Sequence, residues 1–66
     1  NRSDLQVNGN SLMTALNEKG GPWLKDCLLK IERAILLNQL NNNEAEIINW
    51  VKSHAKYEDG HIIITE

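Results

Sequence analysis

Apolar residues along this chain recur at helical intervals, and one run dominates. Leu24, Cys27, Leu28, Ile31, Ala34 and Ile35 fall at spacings of three and four, the repeat that lines one face of an α-helix with a continuous stripe. Lys25, Asp26, Lys30, Glu32 and Arg33 fill the positions around it, while Trp23 and Leu37 widen the apolar surface at its two ends. The pattern predicts a helix from Pro22 to about Asn38, with the proline at the first helical position, where its missing N–H costs nothing. Upstream, Leu12, Ala15 and Leu16 predict a shorter helix with Ser11 as its N-cap, running to about Glu18. Gly9 is read as the break before it, and Lys19-Gly20-Gly21 as its end.

Downstream, Leu40 to Asn43 makes the next connection. Asn43 with Glu46 three residues on is a capping-box arrangement, so a third helix starts there. Ile47, Ile48, Val51 and Ala55 form its buried face, with Trp50 beside it, and its end is expected near Lys56. Asp59-Gly60 is a turn signal before the β-branched run in His61 to Glu66. That run is either a short strand pairing with Leu5 to Val7 or a weakly ordered tail over 57–66. An isolated two-stranded pair is marginal, which favours the tail. The expectation is therefore one all-α domain over residues 1–66: short helix, Gly-Gly-Pro turn, long helix, Asn-rich turn, third helix, and an extended, loose C-terminus.

Length and charge narrow the functions such a unit can hold. Sixty-six residues bury only roughly 60% of the surface the unfolded chain exposes, leaving little room for an enclosed active site. Seven Lys and Arg against nine Asp and Glu give a net charge of −2, against a polyanion binder that relies on bulk charge. A lone Cys27 cannot form an internal disulfide, so a reducing cytoplasm fits best. No apolar run approaches the ~20 residues of a membrane span, and no signal peptide opens the chain. A first residue of Asn1 instead of Met suggests a start inside a longer polypeptide. The nine asparagines, three of them consecutive at 41–43, are read chiefly as turn and cap residues.

Catalytic constellations are missing. Asp4, Asp26 and Asp59 stand far apart, whereas holding a divalent cation for phosphoryl chemistry takes paired carboxylates. Glu44 and Glu46 are the closest acidic pair, and their place in the first turn of the third helix suits the helix dipole. Cys27, His54 and His61 lack the close ligand spacing of a structural zinc site. Cys27, inside the apolar stripe, reads as a buried inert thiol. The best candidate for chemistry is Lys19-Gly20-Gly21-Pro22-Trp23-Leu24-Lys25. There, two glycines bare backbone N–H groups at the positive end of a helix between two lysines, an arrangement able to grip one phosphate. A purely geometric helix connection explains the same residues. Trp23 is expected to pack in the small core more than to stack on a base.

The order of these segments resembles a known family. Val7-Asn8-Gly9-Asn10-Ser11-Leu12, Gly21-Pro22-Trp23-Leu24, Ile31-Glu32-Arg33-Ala34, Leu40-Asn41-Asn42 and Asn49-Trp50-Val51 are similar in order and spacing to the C-terminal body and tail of bacterial CCA-adding enzymes, members of the tRNA nucleotidyltransferase and poly(A) polymerase family. The likeness covers residues 4 to about 53. Ser11 stands where the family often has Asp, and Asn41 where it often has Pro. Both suit a cap and a turn.

The resemblance implies a fragment that is non-catalytic alone and helps to bind and position tRNA. A preceding head domain of the same chain would then add C, C and A to the 3′ end, using Mg²⁺ with CTP and ATP. The Gly-Gly-x-x-Arg-Asp and Asp-x-Asp motifs of that head are not in this sequence, and no cofactor is expected in the fragment. Lys19, Gly20, Gly21 and Lys25 become candidate contacts to the RNA backbone. The competing expectation is a protein–protein or self-association module using Leu37, Ile48 and Trp50, without nucleic acid.

Overall fold

The computed structural model describes residues 5–65, so Asp4, the start of the extended segment at residues 2–4, and Glu66 lie outside it. Helices α1 (Gly9–Leu16), α2 (Pro22–Leu36) and α3 (Glu44–His54) are followed by strands β1 (Ala55–Glu58) and β2 (His61–Ile64). The two strands form an antiparallel hairpin in which Ala55 faces Ile64 and Glu58 faces His61. Helix α1 packs on α3, α2 on α3, and β2 on α2. Their shared core gathers Val7, Leu12, Cys27, Ile31, Ile47, Val51, Ile62 and Ile64.

Asparagine sets most of the helix boundaries. Helix α1 begins one turn earlier than expected: Asn8, not Ser11, is its N-cap, and Asn8 Oδ1 accepts from the Ser11 N–H at 2.9 Å. Gly9, expected to break the chain, is the first helical residue. An Asn cap with an extended backbone satisfies a first-turn donor and outweighs the modest cost of one glycine.

The C-terminus of α1 is made by Asn17 in the left-handed region (φ 52°) and not by the glycines. Its N–H donates to Thr14 O and that of Glu18 to Met13 O, the paired bonds of a Schellman motif. Helix α2 ends the same way. Asn38 (φ 59°) takes the left-handed position, and Asn38 and Gln39 donate to Ile35 O and Ala34 O. Asn tolerates this conformation better than most residues because its short amide bonds locally.

The Asn43 cap of α3 is as expected, with Oδ1 accepting from the Glu46 N–H at 3.2 Å. The reciprocal half of the capping box is replaced: the Glu46 carboxylate instead accepts from Asn41 Nδ2 at 3.1 Å.

The pure all-α expectation fails at the C-terminus. Helix α3 stops at His54, because Ala55 turns extended (φ −81°, ψ 136°). The β-branched run forms a strand whose partner is 55–58, not Leu5 to Val7. Asp59 (φ 51°) and Gly60 (φ 77°) both occupy positive φ, as a tight two-residue hairpin with the right twist requires. A lone hairpin would be marginal, but this one is not alone. Ile62 and Ile64 alternate inward while His61 and Ile63 face out, so β2 closes the core over α2. The Thr65 N–H and hydroxyl both donate to the His54 carbonyl, at 2.8 and 3.0 Å. Lys30 Nζ donates to the Ile64 carbonyl at 2.6 Å.

Two outcomes follow from this core. Truncating Ile64, 1% exposed, by Ile64→Ala removes buried volume and should cost about 2–5 kcal/mol. That is a large part of the stability of so small a domain, and a denaturant titration should find the midpoint sharply lowered or cooperative unfolding lost. Burial, reinforced by the Asp26 charge and opposed by Lys30, pushes the Cys27 thiol from 9.0 up to about 11. The unfolded chain therefore releases that proton first, so stability is intact below pH 9.0 and declines as pH rises toward 11. Thermal melts across this window should show a shallower decline in Cys27→Ala than in the parent chain.

Candidate functional site

The Gly-Gly-Pro turn joins α1 to α2 and lies at the surface, with Lys19, Gly20, Gly21 and Lys25 all exposed. Its two glycines do different work. Gly21 is extended (φ 175°, ψ −171°), a conformation open to any residue. At Gly20 space is the constraint. An added Cβ would lie 3.2 Å from Met13 Sδ and 3.4 Å from Leu24 Cδ1, so glycine lets the chain pass between α1 and α2. Trp23 folds back over the turn, its indole N–H donating to the Lys19 carbonyl at 2.8 Å. It is half-buried and packs against the core.

The start of α2 differs from the other two helix starts. Asn8 and Asn43 cap α1 and α3 with side-chain oxygens, whereas Gly21 offers none, and no acidic residue occupies the first turn of α2. A fifteen-residue helix thus presents its positive end to solvent without a competing carboxylate in that turn, between two lysines. Opposing charges flank both lysines, Glu18 next to Lys19 and Asp26 next to Lys25. The Glu18 carboxylate, through its interaction with the Tyr57 hydroxyl, raises the Tyr57 pKa above its usual value.

The second candidate set divides. Leu37, 54% exposed, and half-buried Trp50 wall one cleft between α2 and α3. Ile48 instead lines a separate depression with Thr14 and Lys52. Sequence periodicity also passed over Leu29 and Leu36, 48% and 82% exposed, because both sit on the side of α2 opposite its stripe. His54, read in the sequence as a candidate metal ligand, has a different role. Its ring in fact stacks on Trp50 with centroids 4.3 Å apart, which their i, i+4 spacing permits. Among the described residues no three His, Cys, Asp or Glu side chains come together. No helix among the described residues is long and apolar enough to cross a membrane.

The Trp23 bond carries a direct expectation. Trp23→Phe keeps the aromatic packing and removes the N–H, leaving the Lys19 carbonyl to solvent. The loss should be about 0.5–1.5 kcal/mol of stability, with faster hydrogen exchange confined to Gly20, Gly21 and the first turn of α2.

Comparison with known proteins bears on what this surface serves. The family model for tRNA nucleotidyltransferase domain 2 matches residues 1–51. Proteins named CCA-adding enzyme from Staphylococcus aureus strains Newman, Mu3 / ATCC 700698 and USA300 / TCH1516 are each 54% identical over 56 residues. The alignment takes in 85% of this chain but only 14% of each relative, so the chain spans about one-seventh of their length. No solved structure matches it. A family model over most of the chain, together with close identity to these relatives, shows that the chain belongs to the tRNA nucleotidyltransferase domain 2 family.

Proposed function

We propose that this chain is the tRNA-positioning, non-catalytic portion of a CCA-adding enzyme, acting in the cytoplasm. The carrying observation is the uncapped, lysine-flanked start of α2, within the segment matched by the family model. A phosphate placed there would meet the backbone N–H groups of Gly20, Gly21 and Trp23, since Pro22 has none and the Leu24 N–H donates to the Gly21 carbonyl at 3.0 Å. It would also meet the helix dipole and the charges of Lys19 and Lys25. Such a contact fixes register along the RNA backbone and carries no sequence information. The −2 net charge accords with a contributing contact, since the chain need not capture tRNA by bulk charge if other domains hold most of it. Addition of C, C and A from CTP and ATP with Mg²⁺ would belong to the preceding domains, because the carboxylates described here are too dispersed to hold the metal.

Titration of the chain with tRNA, followed by amide chemical shifts at low and moderate salt, tests this reading. The expected result is weak binding that fades as salt rises, with the largest shifts at Gly20, Gly21 and Trp23. The double variant Lys19→Glu/Lys25→Glu should abolish it. Silence at this turn under low salt would overturn the phosphate contact.

A further inference from the structure

A second cationic feature lies at the opposite end of α2. The cleft that Leu37 and Trp50 wall has a volume of about 260 Å³, and Lys30, Arg33, Gln39 and His54 also line it. Nothing in the sequence marks Lys30, Arg33 or Gln39 as a binding residue, and His54 lacks the ligand spacing of a metal site. The hairpin ties two of these four, Lys30 and His54, across the cleft. β2 ends with its Ile64 carbonyl on Lys30 Nζ, and the next residue, Thr65, holds the His54 carbonyl with two donors. One short segment therefore bridges the α2 wall to the α3 wall.

Each wall is chemically prepared. Lys30 also pairs with Asp26 at 2.8 Å, which leaves one of its three N–H donors for a ligand. The His54 ring is held at both its faces of constraint: stacked on Trp50, and bonded through Nδ1–H to the Trp50 carbonyl at 2.7 Å. A carbonyl can only accept, so in the neutral ring Nε2 carries the lone pair. Trp50 also borders a neighbouring depression with Gln39, Asn38 and Asn49. Of the carboxylates near these two hollows, Asp26 is engaged by Lys30 and Glu46 by Asn41.

We propose that this cleft takes a single unpaired RNA nucleotide, with its phosphate on Lys30 and Arg33 and its base against Trp50 and His54. Cations beside an aromatic platform, with amides at the edge, are what an unstacked nucleotide satisfies at once. A base-paired strand hides its base faces and would use only the charges. The site is distinct from the α2 start, and it rests on the tRNA reading only for the choice of RNA as ligand. His54 lies beyond the last residue matched by the family model.

The test is a titration of the 66-residue chain with a short single-stranded oligouridylate at low salt, following the Trp50 indole N–H and the Gln39 amide. A matched RNA duplex serves as comparison. Single-stranded RNA should shift both signals, and the duplex should shift them far less. Arg33→Glu, at an exposed position, should weaken the single-strand affinity at least about fivefold. It should also lower the slope of log affinity against log salt by about 0.7, the value of one lost phosphate contact. Lys25→Glu makes the same charge change at the other end of α2 and should leave this affinity nearly unaltered.

Shifts at Gly20 and Gly21 with Trp50 silent would overturn the cleft while supporting the turn. Shifts at Trp50 with a silent turn would do the reverse. A Trp50 signal that moves with protein concentration alone would mark a docking face between copies and overturn the proposal, as would no response at the highest RNA concentration.

Discussion

The fold depends on closing a core that three short helices cannot close by themselves. Leu12, Cys27, Ile31, Ile47 and Val51 leave an open side over α2, and Ile62 and Ile64 cover it. Helices of 8, 15 and 11 residues gain little from intrinsic propensity and need tertiary burial to persist. The hairpin provides that burial while its ladder satisfies backbone groups that burial would otherwise leave unpaired. Each part is marginal separately. Together they exclude water from one continuous apolar surface.

Much of this was legible in the sequence. The i, i+3, i+4 stripe located α2, and Asn43 with Glu46 located the start of α3, because helical period and capping chemistry are local signals. Boundaries went astray where two local signals competed. Gly9 and Gly20-Gly21 looked like punctuation, yet Asn8 and Asn17 set the ends of α1, since a side-chain amide can cap one terminus and adopt positive φ at the other. The hairpin is hard to read from sequence for a different reason. Asp59-Gly60 and the alternation after it are hairpin signals, but β1 (Ala55–Glu58) has no apolar alternation, with only Ala55 partly buried. Its strand character comes from pairing with β2, a tertiary fact.

The candidate site shows the same division. The turn at Lys19 to Lys25 is contiguous in sequence, so its lysines, glycines and proline could be read together. The cleft between α2 and α3 is assembled from residues as far apart as Lys30 and His54, and nothing in either local neighbourhood points to the other. Burial also redirects apparent chemistry. Cys27, formally a nucleophile or ligand, is held as a thiol inside the core, and Trp23 spends its indole N–H on the turn. The asparagines behave similarly: Asn8, Asn17, Asn38 and Asn43 shape helix ends, and Asn42 accepts from the Gln6 N–H at 3.0 Å.

The bridge from Lys30 through Ile64 and Thr65 to His54 makes the hairpin a clasp as well as a lid. Opening the clasp would expose Ile62 and Ile64 and separate the cleft walls in the same event. Occupancy of the cleft and closure of the hairpin are therefore linked equilibria. A ligand that binds only the closed form raises the free energy of opening in proportion to the logarithm of its concentration over its dissociation constant. For a domain this small, any ligand that holds the cleft walls together becomes a determinant of how much of the time it stays folded.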